Sequence, residues 1–124
     1  MNWAVRFHDE FEQEFLGLPE DTQDELLAAA KLLRDYGPKL GRPYVDTLKG
    51  SKYPNMKELR FNAGGGVWRV AFAFDPQREA VLLVAGNKSG GGEDRFYKQL
   101  IARADKRYAA HLGKIKTARK PKGT

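Results

Sequence analysis

Residues 56–85 read MKELRFNAGGGVWRVAFAFDPQREAVLLVA, and this stretch decides the fold. In 56–62, Leu59 and Phe61 share one side of the chain while Glu58 and Arg60 share the other. Ala63-Gly64-Gly65-Gly66 has the composition of a tight turn. Trp68, Val70, Phe72 and Phe74 then alternate with Val67, Arg69, Ala71 and Ala73. Period two over that length marks a strand with one apolar face. Asp75-Pro76-Gln77-Arg78 is a β-turn, and Ala80 to Ala85 is a nearly all-apolar strand, central or covered on both faces. These thirty residues form a three-stranded antiparallel meander.

Upstream, residues 38–55 hold three prolines and two glycines with no sustained periodicity, and read as a loop. Before it lie two helices. The first is capped by Asp9, has acidic Glu10, Glu12 and Glu14 near its positive end, and carries Phe11 and Phe15 four apart. Gly17-Leu18-Pro19 breaks it. The second carries Leu26, Ala30 and Leu33 on one face, extended by Tyr36, and stops at Gly37-Pro38. Residues 2–8 alternate again and form a short strand. Downstream, GNKSGGG (86–92) is a loop, and residues 93–112 form a helix with Tyr97, Ile101, Ala104 and Tyr108 at spacing 4, 3, 4. The last twelve residues are basic and poor in apolar side chains, and read as a disordered tail. The order β-α-α-β-β-β-α gives an α+β domain over residues 1–112 and a tail over 113–124. The helices are expected on one face of the sheet, leaving Glu58, Arg60 and Arg69 on a solvated face.

Composition narrows the function. In 124 residues there are 22 Lys+Arg and 16 Asp+Glu, a net charge of +6 that is unevenly spread. Residues 1–36 carry −6, residues 37–112 carry +7, and the last twelve carry +5. A basic body suggests a polyanionic partner, nucleic acid first. One domain of this length can bury roughly two-thirds of its unfolded surface. Absence of cysteine excludes a disulfide framework, a thiol nucleophile and a Cys-based zinc site, and two histidines make a multi-histidine metal site implausible. No apolar run reaches the roughly 20 residues of a membrane span, and the N-terminal residues lack signal-peptide features, so a cytoplasmic protein is expected.

The most informative pair is Arg60 and Arg69. They sit on adjacent strands, on the face opposite the apolar set, and a turn at 63–66 makes them cross-strand neighbours. Two guanidiniums side by side need an anion between them: Glu58, or a phosphate. Lys88 follows the last strand and Arg95 opens the last helix, while Lys49, Lys52 and Lys57 add charge nearby. Tyr44, Tyr53, Trp68 and Tyr97 offer rings on which a base could stack, although Trp68 and Tyr97 also fit core positions. SGGGED before the last helix matches no phosphate-loop pattern and reads as a connector and cap. His8 and His111 lie far apart, form no triad, and read as structural or solvent-facing.

The runs LGRPYVDTLKGSKYPNMKELRF (40–61) and VWRVAFAFDPQREAVLLVAGNKSGGGEDRFYKQLIARADKRYAAHL (67–112) resemble the RelE/ParE-superfamily toxins of type II toxin–antitoxin systems, in the HigB or phage Gp49-like branch. The resemblance covers roughly residues 1–112. It implies a compact α/β fold with a curved, mainly antiparallel sheet, and metal-free, cofactor-free cleavage of mRNA in the ribosomal A site. The ribose 2′-OH would be the nucleophile and a cyclic phosphate the product. Carried over by position, the phosphate-holding and catalytic roles fall on Lys57, Arg60, Arg69 and Lys88, with Tyr97 as a further candidate; Lys49, Lys52 and Arg95 would contact RNA. The implied partners are the ribosome, mRNA and a cognate helix-turn-helix antitoxin, through which alone operator DNA would be met. The superfamily also holds ParE-type inhibitors of DNA gyrase, which need no nuclease site. A non-catalytic RNA-binding domain is the remaining alternative.

Overall fold

The computed structural model describes residues 2–118. Strand β1 (Ala4–Phe7) leads into α1 (Asp9–Leu16) and α2 (Glu20–Tyr36). A single 3-10 turn, Gly37–Lys39, follows, then β2 (Val45–Thr47), β3 (Lys57–Ala63), β4 (Gly66–Phe74), β5 (Glu79–Asn87) and α3 (Glu93–Ala118). The sheet order is β1-β5-β4-β3-β2. All pairings are antiparallel except β1 with β5, which is parallel. The α+β reading and the meander therefore hold.

Local chemistry explains the elements. Gly64 and Gly65 take φ of 56° and 78°. A two-residue turn with both φ positive matches the right-handed twist of the flanking strands, and glycine adopts it without steric cost. Gly37, which closes α2, has φ of 59° and would place a Cβ 2.3 Å from Trp3 Nε1. In the loop after β4, Asp75 Oδ1 accepts from the backbone N–H groups of Gln77 and Glu79, both at 2.9 Å.

Several expectations change. The proline-rich segment contains β2, whose three residues pair with Leu59, Glu58 and Lys57 and lengthen the sheet; three residues are too few to show a period. The cap of α1 is His8, whose Nδ1 accepts from Glu10 N–H at 3.2 Å, while Asp9 turns to Lys114 Nζ at 3.1 Å. Tyr36 does not extend the buried face of α2; it is exposed. Helix α3 runs to Ala118 rather than stopping at 112, with Ile115 buried, so 113–118 belong to the folded body. Of the expected tail, residues 119–124 lie outside the described residues.

The largest difference concerns the layers. Helices α1 and α2 cover one face, where Phe11, Phe15, Leu26 and Leu33 pack on Leu59, Val70, Phe72 and Leu82. Helix α3 covers the other face, where Leu100, Ala104 and Tyr108 pack on Ala71, Ala73, Val81 and Leu83. The helices thus lie on both faces, not one. The face expected to be wet is roofed by α3, and Glu58 and Arg69 beneath it are buried. Small Ala71 and Ala73 on that side allow a helix to approach closely.

Candidate functional site

The register of β3 on β4 makes Arg60 and Arg69 direct cross-strand partners, as the alternation and turn foresaw. Glu58 projects on the same side of β3, two residues before Arg60. Its carboxylate lies 3.7 Å from Arg69 Nε and 3.9 Å from Arg60 Nε. Arg69 also donates from Nη1 to the Trp68 carbonyl at 2.9 Å.

Helix α3 adds the next group. Its first turns cross the sheet so that the Tyr97 hydroxyl donates to Glu58 Oε1 at 2.8 Å. Burial, reinforced by the Glu58 acceptor and opposed by Arg69, holds the Tyr97 phenol above its ordinary pKa. Tyr97 therefore keeps its proton and serves as a donor. Lys88, just past β5, is anchored by its backbone N–H to the Val67 carbonyl. Its Nζ stands 5.7 Å from the centre of the Tyr97 ring and 3.0 Å from Glu93 Oε1.

Four of the expected residues thus converge: Arg60, Arg69, Lys88 and Tyr97, with Glu58 at their centre. Arg60 and Lys88 form a rim that solvent reaches, and Arg69 forms the floor. Lys57 does not join them. Alternation puts it on the Leu59 and Phe61 side of β3, across the sheet from the arginines. Lys49, Lys52 and Arg95 are exposed. The loop bearing Lys49 and Lys52 is pinned to α3 where Asp105 accepts from Ser51 Oγ at 2.5 Å and from Lys52 N–H at 3.1 Å. Arg95 lies in the first turn of α3, and no ion pair joins it to the cluster among the described residues.

A second polar cluster went unseen in the sequence. Arg107, 7% exposed, crosses from α3 to α1, donating from Nη1 and Nη2 to Glu14 and from Nη1 to the Leu83 carbonyl at 2.7 Å; its Nε lies 2.9 Å from Glu10 Oε2. The guanidinium holds the Glu14 carboxyl below its usual range, chiefly through these hydrogen bonds. Leu83 is the extra residue of a β-bulge, since Phe72 pairs with Leu82 and Ala71 with Val84. His111 Nε2 meets Asp75 Oδ2 at 2.8 Å in a buried contact that ties α3 to the β4–β5 turn, so both histidines have structural places. The only forewarning was an arginine at the i+3 position from Ala104, on the flank of an apolar stripe.

A family model described as phage-derived protein Gp49-like (DUF891) matches residues 13–109. Two proteins of Mycobacterium tuberculosis are similar to this chain. The one named toxin HigB2 is 44% identical over 107 residues, covering 86% of this chain and 52% of that protein. The one named toxin HigB3 is 43% identical over 104 residues, covering 84% of this chain and 89% of that protein. The chain thus spans about half the length of the first and most of the second. Among solved structures, an arginine-to-alanine double mutant of E. coli toxin RelE in the free state superposes with a TM-score of 0.63 at 13% identity, over 86% of this chain and 98% of that one. The archaeal RelE–RelB complex from Pyrococcus horikoshii gives 0.53 at 19% identity, over 73% of this chain and all of that one. At such identities the likeness concerns the fold, which is RelE-like.

Proposed function

Because the chain belongs to the phage-derived Gp49-like family, within the HigB/RelE superfamily, we propose that it is the toxin of a type II toxin–antitoxin pair. In this reading it is a metal-independent endoribonuclease that cuts mRNA on the ribosome. The observation that carries the reading is the direct pairing of Arg60 with Arg69 under α3, with Lys88 and Tyr97 brought to the same place.

The chemistry asks for little beyond positioning and charge. The ribose 2′-OH gives up its proton to solvent as its oxygen attacks the adjacent phosphorus. The P–O5′ bond breaks, the departing 5′-oxygen takes up a proton, and a 2′,3′-cyclic phosphate and a 5′-hydroxyl result. Negative charge grows on the non-bridging oxygens in the pentacoordinate state. Two fixed guanidiniums suit that charge, and a donor of this kind typically contributes about 10²–10³ in rate. Holding the 2′-oxygen in line supplies much of the rest. Protonated Tyr97 and the Lys88 ammonium are the donors available to the departing oxygen. Lys49, Lys52 and Arg95 would meet the RNA further out, and Lys57, on the opposite face, takes no part at the phosphate.

The partners in this reading are the ribosome, mRNA and a cognate antitoxin of helix-turn-helix type, with operator DNA reached only through the antitoxin. The RelE–RelB complex among the structural neighbours supports a toxin-with-antitoxin assembly. Mapping transcript 5′ ends in a translating extract tests the activity. Arg60→Ala and Arg69→Ala should each lower cleavage at least about a hundredfold. Undiminished cutting by both overturns the site. Accumulated gyrase–DNA complexes with intact mRNA would instead assign the chain to the ParE-type inhibitors.

A further inference from the structure

Around Glu58 the hydrogen bonds do not close. A settled arginine–carboxylate pair brings N–H to oxygen at about 2.7–2.9 Å, often in two parallel bonds. Here the approaches are 3.7 Å for Arg69 Nε and 3.9 Å for Arg60 Nε. Among the described residues, no acceptor meets the buried Arg69 Nε. Among the same residues, the only well-formed bond to the carboxylate comes from the Tyr97 hydroxyl. A buried donor left unmet is costly and uncommon. At this place the floor of a cationic site carries one.

The rim is better served but loosely held. Lys88 pairs with Glu93, whose carboxylate is 64% exposed, so solvent screens the contact. The cations therefore outnumber their hydrogen-bonded anions. In the free protein Glu58 is the carboxylate that compensates this charge: without an anion, Arg69 would be a buried cation facing a second arginine across the strands.

We propose that Glu58 is the resident anion of the phosphate seat. In the free protein its carboxylate occupies the place between Arg60 and Arg69 that a phosphodiester takes, and the incoming phosphate displaces it. The proposal rests on the reading of Arg60 and Arg69 as phosphate-binding groups. A phosphodiester offers two charged non-bridging oxygens set apart on a tetrahedral centre, so it can supply Arg69 Nε with the acceptor that Glu58 leaves out of reach. Once it arrives, phosphate and carboxylate compete for one position between the same two guanidiniums, where like charges repel, and Glu58 must leave. Its departure frees the Tyr97 hydroxyl, which passes from the carboxylate to the substrate. After cleavage the carboxylate returns and competes with the product for the same arginines. Glu58 thereby sets a modest ground-state affinity and assists release, in the manner of a negative coupling between two anions for one site.

The experiment is a binding titration with two probes: inorganic phosphate, and an RNA trinucleotide whose scissile ribose lacks its 2′-OH and cannot be cut. Glu58→Gln keeps the shape and the acceptor for Tyr97 but removes the charge. Both probes should bind E58Q about tenfold tighter than the parent. Unchanged or weaker binding overturns the proposal and leaves Glu58 as a brace for the arginines. A second measurement needs no variant. The Glu58 side-chain carboxyl ¹³C resonance of the parent should shift as the trinucleotide is added, and an unmoved resonance overturns displacement. The nuclease reading fails separately: tighter E58Q binding with uncut transcripts would keep the seat and remove the reaction. Cut transcripts with unaltered E58Q affinity would keep the reaction and remove the displacement.

Discussion

His8 caps a helix with one ring nitrogen. Nδ1 accepts the Glu10 N–H and so caps α1, which requires that nitrogen to be unprotonated. Burial, with help from the nearby Arg107 charge, lowers its pKa from the ordinary 6.5. The folded state thus binds the His8 proton less readily than the unfolded chain. Its contribution to stability is present at pH 7.5 and is lost as pH falls below 6.5 toward the lowered folded value. Asparagine caps without titrating in this range. In urea titrations, His8→Asn should match the parent at pH 7.5 and become relatively more stable between pH 6.5 and 5. A parent–variant difference that does not vary with pH would place the histidine outside the cap. At Arg60 and Arg69 the sequence was informative because alternation and a two-residue turn together determine register. The bond from Tyr97 to Glu58 was not legible, since no local pattern states where along a sheet a distant helix will sit.

At the scale of elements, α3 is held by an apolar stripe on the sheet and by polar contacts, among them Arg107 reaching to α1 and β5. Arg107→Ala strips the Leu83 carbonyl of the charged donor it has from Nη1 and releases Glu14, which remains partly solvated. A cost of about 2 kcal/mol is expected, largely from the buried carbonyl. Glu14→Gln should cost less than about 1 kcal/mol, because its carboxylate is 42% exposed. Chemical denaturation of both variants measures the difference, and equal costs would move the weight of the clamp from the carbonyl to the ion pair. The stripe on α3 was readable from Tyr97, Ile101, Ala104 and Tyr108. Which face it covers was not, because the arginines on that face suggested water. The contrary signal was there in Ala71 and Ala73, two small side chains beside Arg69 where a wet strand would more often carry polar ones.

For the whole molecule, the division between an acidic front and a basic body is partly used up inside the fold. Asp9 pairs with Lys114, and Glu10 and Glu14 with Arg107, so helix α3 draws the front against itself. Net charge therefore says little about a partner, and the site's own arrangement says more. It also changes the standing of residues 113–118. Ending the chain after Leu112 removes buried Ile115 and the Lys114 contact with Asp9. Loss of one buried isoleucine is expected to cost about 2 kcal/mol or more. The truncated protein should melt several degrees lower, and an unchanged Tm would show those turns to be dispensable.

The parallel pairing of β1 with β5 joins Ala4 to Glu79 and Phe7 to Leu82. Contacts so distant along the chain slow folding, and they reverse the order of synthesis. On the ribosome that makes this protein, the first strand waits for the fifth before its edge of the sheet can form. The arginine hairpin, residues 57–74, is complete before β5 begins at Glu79. A nascent chain ending before residue 88 carries both arginines and Glu58, yet neither Lys88 nor Tyr97, so residues 88–97 must emerge before these side chains can meet.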